Sequence, residues 1–231
     1  MKYLIVNADD FGASRGINRG IIEAHRRGIL TSTSLIVDAR WSEEAAVLSR
    51  AVPDLSVGLH VHLTTKGEYS TSCPDDNDDC RAELHRQFSR FQELMGRSPT
   101  HLDSHHNIHR QPRLLPHFLD LAQQYSLPLR EHSPVRYFSK FYGQWGGETH
   151  LKQISVESLM RMLEIDVQEG ITELSCHPGY RDTDFSSGYS AERETEVRTL
   201  CDPIIGQVLA EQSIQLVSFH DLVDLLAELS A

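Results

Sequence analysis

The fold is first indicated by residues 2–12, which read KYLIVNADDFG. A continuously apolar run such as Leu4-Ile5-Val6 is typical of a parallel strand that is covered on both faces. Asp9 and Asp10 follow at the carboxyl end of this strand, ahead of Gly12, which allows the chain to turn sharply. Ligands collect at the carboxyl ends of parallel strands, so the stretch predicts both a sheet strand and an edge that carries a site.

Strand-like runs recur along the chain, and each is followed by a helix-like run. Seven such units in series imply a parallel sheet. The sequence contains neither a Gly-x-Gly-x-x-Gly fingerprint nor a Walker loop, which favours an α/β fold of the (β/α) TIM-like barrel type over an open doubly wound sheet. We expect the barrel to be incomplete or distorted, with about seven parallel strands. The predicted strand and helix pairs are 2–8 and 14–27, 30–37 and 42–51, 55–63 and 81–95, 99–104 and 113–125, 127–131 and 155–168, 171–177 and 190–211, and 214–219 and 220–230.

The composition is that of a globular protein, with 39% hydrophobic and 24% charged residues. The length of 231 residues fits one domain, 1–231. The formal net charge of −11 argues against a nucleic-acid partner, because phosphate binding needs a basic patch. No apolar run is long enough to span a membrane, and no secretory signal precedes the first strand, so we expect a cytoplasmic protein with no membrane partner.

The four cysteines form no C-x-x-C pair, which excludes a zinc knuckle and a thioredoxin-like motif. Cys73 and Cys80 bracket a short acidic loop. A disulfide between them is left open at this point.

Histidines and acidic residues stand at further strand ends. Side chains alternate along a strand, so His60 and His62 share one face, as do His101, Asp103 and His105. Imidazole and carboxylate together suit Zn²⁺ and can also hold harder ions, and one Asp with two His leaves positions open for water and substrate. Taken singly, each residue has a structural explanation, as a helix cap or as a hydrogen-bonded core histidine. Their joint occurrence at strand ends favours a hydrolytic metal site.

A further histidine follows the sixth predicted strand. Pro178 biases His177 towards an extended conformation, and Gly179 permits a turn. We therefore expect His177 to project at the same rim as the metal motif, as a second general acid or base.

The segment 132–154 carries five aromatic residues among three glycines. The five cannot all be core residues in an irregular segment, and exposed rings are platforms for the apolar faces of sugars. A lid or a homodimer contact is the alternative. The aromatic residues are Tyr137, Phe138, Phe141, Tyr142 and Trp145.

Five motifs together resemble those of the YdjC/ChbG-like carbohydrate deacetylases. They are NADDFG at 7–12, TSTS at 31–34, GLH at 58–60, PTHLDSHH at 99–106 and SCHPG at 175–179. The similarity follows nearly the whole chain in order, and the His-Leu-Asp-Ser-His-His run is specific. The resemblance implies a (β/α)-barrel-like fold, one divalent metal ion such as Zn²⁺ or Mg²⁺, and removal of acetyl groups from N-acetylated sugars such as chitooligosaccharides.

The resemblance also implies roles for single residues. By motif, the metal ligands are Asp10, His60 and His105. Asp9 resembles the catalytic base of the more distantly similar NodB-type polysaccharide deacetylases, and His177 resembles the general acid of that wider group.

The predicted substrate-binding residues are His62, Arg130, Tyr142 and Trp145. Arg130 also resembles the arginine that orients the base in the NodB group. His62 stands where relatives have an apolar residue, so it is interpreted as an extra substrate contact or a spare ligand.

Two further departures from the family pattern bear on the site and its substrate. Asn107 interrupts a run that is often a third histidine, which leaves His109 as a second-shell donor. The 64–80 loop is shorter than in the chitooligosaccharide enzymes, which leaves substrate length open.

These roles predict metal-dependent hydrolysis of a sugar acetamide, with a small molecule or an oligosaccharide as the substrate. Because Asp9 must be ionised while His177 is protonated, the dependence of activity on pH is predicted to be bell-shaped. Two alternatives remain open: hydrolysis of another amide or ester bond at the same site, and a catalytically silent, metal-dependent sugar-binding protein.

Overall fold

The computed structural model describes residues 1–63, 77–183 and 188–229. The described strands are β1 (Lys2–Phe11), β2 (Ser32–Leu35), β3 (Ser56–Val61), β4 (Leu102–Ser104), β5 (Arg136–Phe138), β6 (Gln144–Trp145), β7 (Glu148–Thr149), β8 (Gly170–Cys176) and β9 (Ile214–Leu216). The described helices are α1 (Arg15–Arg27), α2 (Ser42–Arg50), α3 (Asn77–Met95), α4 (Leu115–Tyr125), α5 (Val156–Ile165), α6 (Ser190–Leu200), α7 (Pro203–Glu211) and α8 (Leu222–Leu229).

Seven of the strands form one parallel sheet, in the order β4-β3-β2-β1-β8-β5, with β9 beside β1. The sheet is curled into an incomplete barrel surrounded by helices. Strand β1 lies at its centre: β8 pairs with one edge, while β9 and β2 share the other edge. The predicted fold class, an incomplete parallel (β/α) barrel, is therefore confirmed.

The burial of β1 explains why its sequence does not alternate. Leu4, Ile5 and Val6 are all fully buried, because one set of side chains faces the barrel interior and the other faces the helices. The polar residues at the carboxyl end of β1, among them Asp9 and Asp10, are buried as well. This end of the strand therefore needs charged and hydrogen-bonding partners.

Two predicted elements differ in the structure. Residues 127–131 form a single parallel bridge, between Leu129 and Leu102, and the sheet strand in this part of the chain is β5. The predicted helix 190–211 is two helices, because Asp202 caps the start of α7 and Pro203 lacks the N–H that a continuous helix would use.

The aromatic segment 132–154 is not irregular throughout. It contains β5 and the β6–β7 hairpin, and Phe138 and Phe141 are core residues, whereas Tyr142 and Trp145 are 39% and 51% exposed. The expectation of exposed rings therefore applies to two of the five aromatic residues. Hydrophobic burial accounts for the other three, since Tyr137 is also mostly covered.

Cys73 lies outside the described residues, so the question of its pairing with Cys80 stays open. Cys176 and Cys201 are free thiols. Within the described ranges, no helix combines the length and the apolar character that crossing a bilayer would require.

Candidate active site

A β-bulge directs two adjacent carboxylates of β1 into one site. In a regular strand, neighbouring side chains point to opposite faces. The pairing of β1 with β2 shifts between Ala8 and Phe11, and Asp10 has a φ of 71°, in the left-handed region. Gly12, with a φ of 92°, then turns the chain towards α1. As a result, Asp9 and Asp10 both reach groups at the carboxyl edge of the sheet.

Asp10 meets the two predicted histidine ligands. Its Oδ1 lies 3.1 Å from His105 Nδ1 and 3.6 Å from His60 Nε2. Donor atoms of the three residues lie within 4.8 Å of one another. The structure thus brings together side chains that are 95 residues apart in the chain.

The donor atoms of this triad fit a divalent cation. His60 Nδ1 is hydrogen-bonded to Asp103 Oδ1 at 2.7 Å, and the buried Nε2 atom has no hydrogen-bond partner among the described residues. Burial by itself would lower the pKa of His60, but Asp103, Asp9 and Asp10 outweigh it and raise the pKa to about 9. Positive charge is therefore favoured at this point, and one carboxylate with two imidazoles is a ligand set that Zn²⁺ accepts.

A second group of candidate ligands lies deeper, at Asp9, His60 and Asp103. Arg130 already supplies the positive charge there, because its guanidinium lies 2.8 Å from both Asp9 and Asp103. The triad of Asp10, His60 and His105 is therefore the better candidate for a metal centre.

Arg130 holds Asp9 through two parallel hydrogen bonds, of 2.9 Å to Oδ2 and 2.8 Å to Oδ1. On its other side the guanidinium donates to Glu173 Oε1. Burial raises the pKa of Asp9, but the charge of Arg130 outweighs this effect and the pKa lies below its ordinary value. Asp9 is consequently ionised and fixed in orientation.

The buried position of Arg130 differs from its predicted place as a substrate contact. Among the residues that the structure describes, Arg130 does not line the cleft; it contacts the carboxylates of Asp9, Asp103 and Glu173. The geometry matches the other predicted role, that of orienting Asp9.

His177 lies at the same rim, with Nε2 3.8 Å from Asp9 Oδ2. Its ring makes edge contacts with Tyr142 and Tyr189, whose rings stack on each other at 4.8 Å. Burial lowers the pKa of His177 to about 4 and outweighs the attraction of Asp9 and Asp10. His177 is therefore neutral at pH 7 in the free protein, whereas the bell-shaped pH prediction assumed a protonated imidazole.

A cleft of about 1500 Å³ opens above these groups. His62 and Tyr142 line it, whereas Trp145 is not among the described lining residues and stacks on His150 instead. The lining of the cleft also carries an ion pair between Arg86 and Asp38. The lining thus includes the predicted substrate contacts His62 and Tyr142, and it does not include Trp145.

Comparison with known proteins identifies the family of this chain. The sequence model of the family described as "YdjC-like protein" matches residues 3–211. The chain belongs to the YdjC-like family. A chitooligosaccharide deacetylase of Proteus mirabilis is 35% identical over 257 residues, covering 95% of this chain and 98% of its own length. A carbohydrate deacetylase of Brevibacillus brevis is 33% identical, covering 95% of this chain and 99% of its own.

One solved structure is similar to this chain in fold as well as in sequence. It is the crystal structure of a proposed cellobiose-phosphate cleavage protein from Enterococcus faecalis V583. The TM-score is 0.83 at 30% identity, and the superposition covers 96% of this chain and 98% of the other.

The sequence motifs do not indicate two residues of the site, both on α6. Arg193 and Glu196 on α6 contact Asp10 and the backbone of His177, respectively. The sequence shows a helix, SAERETEVRTL, with few apolar residues, and the structure buries three of its charged residues, Glu192, Arg193 and Glu196. A buried polar helix face needs ionic partners, and the sequence does not identify them.

His109 does not occupy its predicted place beside the metal ligands. Its Nδ1 is hydrogen-bonded to Ser104 Oγ at 2.6 Å, and its Nε2 lies 3.6 Å from Glu131. These contacts tie down the loop that carries His105, in which His106 and Asn107 both have positive φ angles.

Proposed function

We propose that this protein is a metal-dependent hydrolase that removes the acetyl group from an N-acetylated sugar or oligosaccharide of the chitooligosaccharide type. The observation that carries the proposal is the ionised Asp9 held by Arg130, 3.8 Å from His177 and next to the triad of Asp10, His60 and His105. The Proteus mirabilis relative is named a chitooligosaccharide deacetylase and the Brevibacillus brevis relative a carbohydrate deacetylase, which supports the same reaction.

In this proposal Asp10, His60 and His105 hold one divalent ion. Two imidazoles in the ligand set favour Zn²⁺ over Mg²⁺, which prefers oxygen ligands. Such an ion, when bound, polarises a carbonyl oxygen and lowers the pKa of a coordinated water. The bond Asp10 Oδ2 makes to Arg193 leaves Oδ1 directed at the two histidines.

Asp9 is assigned the role of general base. It takes a proton from the attacking water, whose oxygen forms the new bond to the acetyl carbon. Arg130 keeps the carboxylate fixed during this transfer through its two hydrogen bonds. The C–N bond then breaks, and the sugar nitrogen must receive a proton as it departs.

His177 is assigned the role of general acid. Because it is neutral at rest, it must gain a proton before it can donate one, and the Asp9 carboxyl, 3.8 Å from its Nε2, is the assigned source. The water proton thus passes from Asp9 to His177 and then to the departing amine. This order of transfers needs no protonated His177 in the free protein.

The cleft supports a substrate larger than a single sugar ring. Its volume of about 1500 Å³ exceeds the roughly 300–1,000 Å³ of most small-molecule pockets. The exposed face of Tyr142 stands beside His177 and is stabilised by stacking on Tyr189. It is the candidate platform for the apolar face of a sugar ring.

We expect metal-stripped protein to release no acetate, and protein reloaded with Zn²⁺ to release acetate and free amine in equal amounts from N-acetylated oligosaccharides. Mg²⁺, Mn²⁺ and Co²⁺ are added back in parallel. Because one solved relative is described as a proposed cellobiose-phosphate cleavage protein, phosphate release is followed in the same reactions. Release of phosphate or of another acid, with no release of acetate, would show that the protein hydrolyses another bond and would overturn this proposal. Binding of the sugar without turnover would show a sugar-binding protein.

The role of His177 predicts a dependence on the leaving group. An amine leaves only with a proton, whereas a nitrophenolate leaves as an anion. His177→Ala should therefore lower the hydrolysis of an N-acetyl sugar by about 10²–10⁴-fold and that of nitrophenyl acetate by much less, with zinc content unchanged. Rates on the two substrates and metal analysis check this expectation. Equal losses on both substrates would remove His177 from the acid role.

A further inference from the structure

We propose that Arg193 on α6 is a positioning residue that ties the candidate metal ligand Asp10 to the candidate acid His177. The inference deepens the proposed function and rests on it. Arg193 is 7% exposed and has no counterpart among the motifs that the sequence indicated.

The guanidinium of Arg193 reaches two different parts of the site. One amino group, Nη2, donates to Asp10 Oδ2 at the end of β1. The other, Nη1, donates to the backbone carbonyl of His177, just beyond β8, at 3.3 Å. The two acceptors lie at the carboxyl ends of different strands, and a planar guanidinium sets their relative position more firmly than a single ammonium would.

The contact with Asp10 decides which carboxylate oxygen faces the histidines. A free carboxylate can rotate and offer either oxygen, or both, to an ion. With Oδ2 bonded to Arg193, Oδ1 remains 3.1 Å from His105 and 3.6 Å from His60. Arg193 thereby preorganises the triad, as outer partners of metal-binding carboxylates generally do.

The contact between Arg193 and the His177 backbone helps to orient an imidazole whose Nδ1 has no hydrogen-bond partner among the described residues. His177 Nδ1 is buried and has no hydrogen-bond partner in the described ranges, so no carboxylate there orients the ring through this atom. Instead, α6 holds the peptide on both sides. Glu196 accepts from the His177 N–H, while Arg193 donates to the His177 carbonyl. The direction of the ring therefore depends on α6.

Three variants test the coupling. Arg193→Gln removes both contacts, and Arg193→Lys keeps one positive charge that can reach Asp10 but cannot bridge both acceptors. Arg198→Gln is the matched control, since Arg198 is exposed on the same helix and donates to Thr195. Thermal unfolding of all three checks that they are folded.

The first measurement is the dissociation constant of Zn²⁺, obtained by competition with a chelator and independent of turnover. We expect Arg193→Gln to weaken zinc binding by about tenfold or more, Arg193→Lys to recover most of the affinity, and Arg198→Gln to match the wild type. Unchanged or tighter zinc binding in Arg193→Gln would overturn the proposal. Arg193 would then have no effect on zinc affinity, or it would compete with the ion for Asp10.

The second measurement is the ratio of the rate on an N-acetyl sugar to the rate on nitrophenyl acetate, at saturating Zn²⁺. Both Arg193 variants should lower this ratio, since a misdirected His177 impairs departure of the amine more than departure of the phenolate. A ratio equal to that of the wild type in Arg193→Gln would overturn the link to His177. If the wild type releases no acetate, the proposed function fails, and the zinc measurement alone still decides the link between Arg193 and Asp10.

Discussion

Asp9→Asn is expected to lower the rate of deacetylation by about 10²–10⁴-fold while the protein keeps its zinc. Asparagine has nearly the same shape but cannot accept the proton of the attacking water. Arg130 retains Asp103 and Glu173 as partners, so the barrel interior stays charge-compensated and the variant should fold. Steady-state kinetics with N-acetylated oligosaccharides, metal analysis and thermal unfolding measure the three effects separately.

Asp38→Asn is the matched control for this variant. It removes the same charge from the same cleft at a residue that pairs with Arg86 and belongs to neither group of candidate ligands. We expect its rate to stay close to that of the wild type. If Asp9→Asn lost zinc as completely as a ligand variant does, Asp9 would be a metal ligand and not the base.

His105→Ala is expected to lose the metal itself, and activity with it. The imidazole supplies one of three donor atoms, and removal of even an outer partner of a metal ligand typically weakens binding by about 10–100-fold. Loss of a direct ligand should exceed that range. Zinc content after dialysis and the dissociation constant of Zn²⁺ provide the measurement, and activity should return in part only at high zinc concentration.

His106→Ala serves as the control for the loss of His105. His106 is the next residue, is exposed and lines the same cleft, but it does not belong to the triad. It should retain zinc. Equal zinc loss in both variants would mean that the loop conformation, and not the His105 ligand atom, determines affinity.

Much of this site follows from local sequence pattern. The apolar run of β1 predicts a strand covered on both faces, and its end predicts the position of Asp9 and Asp10 at the ligand-binding edge. Side-chain alternation predicts one face for Asp103 of β4 and for His101, which directly precedes the strand, and both are buried near the guanidinium of Arg130. These inferences hold because they depend on backbone periodicity alone.

Other features could not be read from the same patterns. The short run 127–131 has the pattern of a strand, yet it forms only the bridge from Leu129 to Leu102 of β4, whereas β5 pairs with β8 at the opposite edge of the sheet. The α6 helix buries charged residues as well as apolar ones, and Arg193 and Glu196 are stabilised there by partners on β1 and after β8. Those partners lie 183 and 19 residues away in the chain.

The amino-acid sequence by itself determined the kind of barrel, the strand ends that carry acidic and histidine residues, and the family. Tertiary structure alone decided how those residues face one another: the bulge at Asp10 turns two neighbouring carboxylates into one site, and Arg130 and Arg193 fix their orientations. The physical reason is that periodicity acts within one element, whereas buried charges are stabilised by groups that only the folded chain brings within hydrogen-bond distance.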